Sequence, residues 1–245
     1  PGRWGSVSLY RARGVVLRTW RLGEADRIVV LLTPEEGKVR AVAKGVRKTR
    51  SKFGGRLEPT SHVALQLFRG RGELDIVTQA ETLDRFEGLR VDPDRFADAS
   101  AMLEIADTVA PDGDRDRRRY EMLLGALRTL DERPSPLLVP AFFLKVLDHE
   151  GLAPSLAACV RCGSDGPLVA VDVGEGGVLC QTCRRGRSLS DGALAVMRAV
   201  LGGGLSAALA VVDQQVCAEV DQVVTEAAEY HLERRLRARR TMYGN

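Results

Sequence analysis

The first 80 residues are patterned for strands. Segments 14–20, 27–33 and 38–44 are short, rich in β-branched side chains, and bounded by Gly, Pro or charge. In the third, Val39, Ala41 and Ala43 alternate with Lys38, Arg40, Val42 and Lys44, so one face is apolar and the other mostly basic. Segments 62–68 and 74–80 continue the pattern, and the link Arg69-Gly-Arg-Gly-Glu73 predicts a hairpin between them. Five short strands with no room for crossover helices predict a small antiparallel barrel. The long connection 45–58, between strands three and four, suits an OB-fold, a five-stranded barrel that often binds single strands.

After residue 85 the period lengthens. Asp92-Pro93-Asp94 is a helix start, and Phe96, Met102, Leu103, Ile105, Ala106 and Val109 follow at helical spacing. Further helices are expected over 117–130, from Ser135-Pro136 to Gly151, from Ser190-Asp191 to the glycines 202–204, and over 214–240. The fold class is therefore α+β multidomain. A barrel over 8–82 is followed by an all-α helical body made of 83–154 and 188–245, which is interrupted by a cysteine-rich insert at 155–187. Residues 1–7 precede the patterned sequence and are set aside as a remnant outside the fold.

Charge sharpens the division. Residues 1–80 hold 16 Lys/Arg against 7 Asp/Glu, and the remainder holds 20 against 26. A basic barrel joined to an acidic body places any polyanion on the barrel. No apolar run reaches the length of a membrane span and no secretory leader is visible, so a cytoplasmic, nucleoid-associated protein is expected.

Two motifs carry chemistry. Cys159-Val-Arg-Cys162 and Cys180-Gln-Thr-Cys183 are paired knuckles separated by 17 residues. Each C-x2-C turns two thiolates toward one centre, and together they predict one structural Zn2+ held by Cys159, Cys162, Cys180 and Cys183. Four protein ligands leave no open position for catalysis. Neighbouring Arg161, Arg184 and Arg185 favour thiolates. Cys217 stands alone and reads as a small core residue. The second motif, residues 44–56, holds Lys44, Arg47, Lys48, Arg50, Lys52 and Arg56 with no acid. With Lys38 and Arg40 these form a candidate DNA-binding surface, and Phe53 is a candidate for stacking on a base.

No catalytic constellation stands out. The three histidines, His62, His149 and His231, read as a strand-start residue and two helix-surface residues. Gly37-Lys38 lacks the glycine spacing of a P-loop. A non-enzymatic protein is expected. The alternative is a zinc-containing DNA-binding transcription regulator, whose only hint is Cys183-Arg-Arg-Gly-Arg187.

Residues 10–17, Gly23-Glu-Ala-Asp-Arg27, Gly37-Lys-Val-Arg40, Ala43-Lys-Gly-Val-Arg47, Ser51-Lys-Phe53, Leu57-Glu-Pro59 and Thr78-Gln-Ala-Glu81, with the two Cys pairs, resemble the RecO family of DNA repair proteins over nearly the whole chain. The resemblance implies an OB-fold, a helical body and a zinc-binding insert. It also implies a recombination mediator that binds single- and double-stranded DNA and anneals complementary strands without ATP. The implied partners are the C-terminal tail of single-strand-binding protein, RecR and, indirectly, RecA. An apolar groove around Phe142, Phe143 and Leu144, with Lys145 or Arg234, Arg235 and Arg237 as cation, is the expected seat for that tail.

Overall fold

The computed structural model describes residues 8–70 and 72–232. The chain divides into two compact units, with the break between Glu132 and Arg133. In the first, β1 (Leu9–Leu22), β2 (Asp26–Thr33), β3 (Gly37–Ala43), β4 (His62–Phe68) and β5 (Asp75–Asp84) form a closed barrel in the order β1-β2-β3-β5-β4. Four pairings are antiparallel, but β3 meets β5 in parallel through Ala41↔Asp75 and Val42↔Ile76. The expected all-antiparallel closure is corrected there. Since β4 intervenes in sequence, the edges of β3 and β5 meet running the same way.

Val39, Ala41 and Ala43 point inward as their alternation predicts, and they meet Val16, Val29 and Leu65. The run Ile28-Val-Val-Leu-Leu32 does not alternate because β2 is buried on both faces. Inside is the barrel core. Outside lie α2 (Pro93–Val109) and α3 (Arg117–Glu132), which pack on β1 and β2. Together with the short α1 (Glu87–Val91), these helices belong to the barrel's unit. Asp92 caps α2 by accepting from the N–H groups of Asp94 and Arg95. Phe96, one of the apolar residues at helical spacing, is exposed. The α2–α3 connection passes close over the turn before β3: a Cβ on Gly37, which has φ +67°, would lie 2.2 Å from the Asp114 carbonyl oxygen. Only glycine fits that position.

A buried polar chain ties α3 to the barrel. His62 Nδ1 lies 2.6 Å from Asp84 Oδ2, and its Nε2 lies 2.7 Å from the Tyr120 hydroxyl. With Asp84 as acceptor, Nδ1–H donates and Nε2 accepts from Tyr120. Arg128 also donates to Asp84, at 2.9 Å. Burial pushes the His62 pKa down, and Arg128 and Arg13 add to the effect against the opposing pull of Asp84. A depressed histidine means that the unfolded chain binds the extra proton. The stability from neutral His62 is therefore full above its ordinary value near 6.5 and lost as pH falls below it. The Tm is expected to drop between pH 7.5 and 5.5, with a smaller drop in His62→Gln. Equal slopes in scanning calorimetry of the two proteins would refute this. Tyr120 is the buried end of this polar chain, so the group clasps elements rather than presenting a nucleophile.

The second unit packs α4 (Leu138–His149), α5 (Asp191–Leu201) and α7 (Gln214–His231), with the short α6 (Leu205–Leu209) beside α5. Ser190 and Asp213 cap α5 and α7. Phe142, Phe143 and Leu144 are buried in this core, which corrects the expected groove: their side chains are already used in packing. Arg234, Arg235 and Arg237 lie outside the described residues. The insert contributes a small sheet, β6 (Leu168–Asp172), β7 (Gly177–Cys180) and β8 (Arg187–Ser188), in the order β7-β6-β8. No described helix is long and apolar enough to cross a membrane.

Candidate functional site

The connection from β3 to β4 folds as consecutive tight turns. The N–H of Lys48 donates to Gly45 O, Ser51 to Lys48 O, Gly54 to Ser51 O and Arg56 to Phe53 O. Gly45, at φ +68°, begins the series, and its N–H is held by Asp26 Oδ1 at 2.7 Å. Phe53 and Leu57 anchor the loop inside the barrel, each 1% exposed. Phe53 is therefore corrected as a stacking residue. Its ring closes the core, where transfer from water stabilises it, and it has no face for a base.

The cations of this loop divide sharply from those of the strand before it. Lys44, Arg47, Lys48, Arg50, Lys52 and Arg56 are all exposed, and none takes part in an ion pair among the described residues. Their hydrogen bonds go to neutral carbonyls. Arg47 donates to Glu24 O at 2.8 Å, Lys52 to Thr78 O at 2.8 Å, and Arg56 to Phe53 O at 3.1 Å. Lys38 is different. Its side chain is 9% exposed, and Nζ lies 2.9 Å from Asp107 O and 3.3 Å from Asp107 Oδ1. Arg40 pairs with Asp112 at 2.8 Å. Of the nine residues read from the sequence, the structure thus gathers six on one loop, buries Phe53, and commits Lys38 and Arg40 to carboxylates of the α2 region. Density of charge was legible in the sequence, whereas which charges already had acidic partners was not.

The four knuckle cysteines converge, with their sulfurs all within 4.8 Å of one another. Cys162 Sγ and Cys180 Sγ are 3.7 Å apart. A tetrahedron with about 2.3 Å metal–sulfur bonds has edges of about 3.8 Å, so the cluster has the dimensions of a four-thiolate metal centre. The second knuckle starts where β7 ends, at Cys180 opposite Leu168. The first is fixed to the same strand by Val160 N–H donating to Val178 O at 3.0 Å. Backbone N–H groups of Cys180, then of Cys162 and Arg161, bring the Cys159 thiol down to about 6, while the neighbouring sulfurs push Cys162 and Cys183 up, so Cys159 is the first of these to become a thiolate.

Three of the four arginines around the centre are neutralised. Arg161 and Arg185 pair with Glu175, each at 3.1 Å, Arg185 also with Asp172, and Arg187 with Glu226 at 2.9 Å. Arg184 donates to Ser188 Oγ. A basic recognition surface of a transcription regulator is not formed by Cys183-Arg-Arg-Gly-Arg187, because its charges are largely spent within the unit. Cys217 is buried and donates to Val211 O, as expected of a core residue.

Comparison with known proteins gives these features a context. Residues 7–86 match the family described as Recombination protein O N terminal, and residues 90–240 match Recombination protein O C terminal. Among relatives named DNA repair protein RecO, that of a Nocardioides species is 44% identical over 240 residues, covering 94% of this chain and 97% of its own. That of Frankia casuarinae is 43% identical over 238 residues, covering 95% and 97%. That of Streptomyces griseus subsp. griseus is 42% identical over 245 residues, covering 96% and 98%. Both halves of the family pattern and nearly the full length of the relatives are present, and the chain belongs to the RecO family of DNA repair and recombination proteins.

Proposed function

We propose that this protein is a recombination mediator. It binds single- and double-stranded DNA through the barrel loop, anneals complementary strands without ATP, and helps RecA assemble on DNA covered by single-strand-binding protein. The observation that carries this reading is the loop's six exposed cations, none of them ion-paired among the described residues. Such charges repel one another unless an anion compensates them, and a phosphate backbone supplies evenly spaced anions. Holding two strands on one basic surface lowers their mutual repulsion while bases search for register. The direct partners are DNA, the tail of single-strand-binding protein and RecR. The buried Phe142, Phe143 and Leu144 are not offered as a seat for that tail.

The metal is one Zn2+ held by Cys159, Cys162, Cys180 and Cys183. An all-thiolate set with tetrahedral dimensions fits it. Its part is structural: four protein ligands fix the knuckles of an insert with little core of its own.

Annealing of complementary oligonucleotides is expected at the same rate with and without nucleotide. It should fall sharply when the loop cations are neutralised. A DNA-stimulated ATPase abolished by a point change in this chain would overturn the reading.

A further inference from the structure

Burial of Phe53 leaves the basic loop without a ring to receive a base, but the barrel supplies one elsewhere. In β1, Thr19 pairs with Val29, which faces the core, so Arg18, Trp20 and Leu22 lie on the outer face. The register continues across the sheet as Trp20↔Ile28↔Val42↔Ile76, one row beyond Arg18↔Val30↔Arg40. The Arg18–Arg40 row is covered by the α2 region through Asp107 and Asp112. In the next row Ile28 and Val42 are still buried, but Trp20, at the end of the row, is 38% exposed. No other aromatic side chain on the described barrel strands is exposed to that degree.

The ring is held in place. The Arg18 guanidinium lies 5.1 Å from its centroid, and Arg18 is itself fixed by Asp107 at 2.6 Å. Pre-organisation of this kind lowers the entropy cost of binding. The basic loop is adjacent: Arg47 reaches Gly23 O and Glu24 O in the turn after β1, and Gly45 N–H reaches Asp26. Gly23 is three residues from Trp20, on the order of 10 Å along the chain. An indole beside uncompensated cations suits a polyanion with unpaired flat bases, which single-stranded DNA is and a duplex is not.

We infer that Trp20 is a base-stacking residue, and that its exposed indole receives a base of single-stranded DNA whose phosphates run onto the 44–56 loop. This rests on the DNA-binding reading above. Trp20 then favours single strands over duplex, while the loop cations serve both.

The chain has two tryptophans, Trp4 and Trp20, so Trp4→Phe leaves Trp20 as the only indole. Titration of that full-length protein with a single-stranded oligothymidylate is expected to quench its emission strongly, and a duplex of equal length to quench it little. Trp20→Ala should weaken oligothymidylate binding roughly 5- to 150-fold, leave duplex binding unchanged and keep the salt slope, because no phosphate contact is lost. Trp20→Phe should restore most of the affinity. Should Trp20→Ala fail to fold, the quenching and Trp20→Phe still decide. Unchanged Trp20 emission while anisotropy reports oligothymidylate binding overturns the assignment. Failure of the parent protein to bind either DNA removes the DNA-binding reading together with it.

Discussion

Replacing Cys180 by Ser is expected to release the metal and unfold the insert between about residues 155 and 187. Cys180 is buried at the end of β7 with its sulfur 3.7 Å from that of Cys162, so the change removes one of the four sulfurs that would hold the metal. The sheet it supports has strands of five, four and two residues. So small a sheet cannot hold its shape by burial alone. In isolated zinc-finger peptides the metal contributes on the order of 10–16 kcal/mol at neutral pH, more than a whole domain's usual net stability. Elemental analysis should find one zinc per wild-type chain and none in the variant, and limited proteolysis should cut the variant within the insert. Wild-type protein with no zinc, or a variant that keeps its protease resistance, would refute the structural role.

The second large effect concerns salt. Lys44, Lys48 and Arg50 make no side-chain hydrogen bond or ion pair among the described residues, so their removal leaves the loop's scaffold intact. Replacing all three by Ala should reduce the log–log salt slope of single-strand binding by about 2, at roughly 0.7 per phosphate contact. Between 50 and 200 mM salt that is on the order of a tenfold change in how affinity falls, whatever the DNA sequence. Arg47 and Lys52 are poorer choices, because each also ties the loop to the barrel through carbonyls of Glu24 and Thr78. An unchanged slope in the triple variant would move the phosphate surface elsewhere.

Much of this molecule is a local property of its sequence. Alternation at Lys38–Lys44 set which side chains face the core, because successive strand residues point to opposite faces whatever their partners are. Asp92 and Ser190 marked two helix starts, since a capping side chain bonds N–H groups within its own turn. The two C-x2-C knuckles announced a four-sulfur centre, because each pair is brought together by a local turn and only their meeting needed the fold.

What the sequence left open depended on distant residues. Continuous burial of β2 reflects helices that arrive some 70 residues later, and their packing is why α1–α3 join the barrel's unit. Phe53 sits in a basic, polar loop yet faces the core, because that loop turns back under the barrel. Lys38 and Lys44 look alike in sequence. One meets Asp107 and the other only solvent, and a charge is free for a polyanion only when the tertiary structure has brought no carboxylate to it.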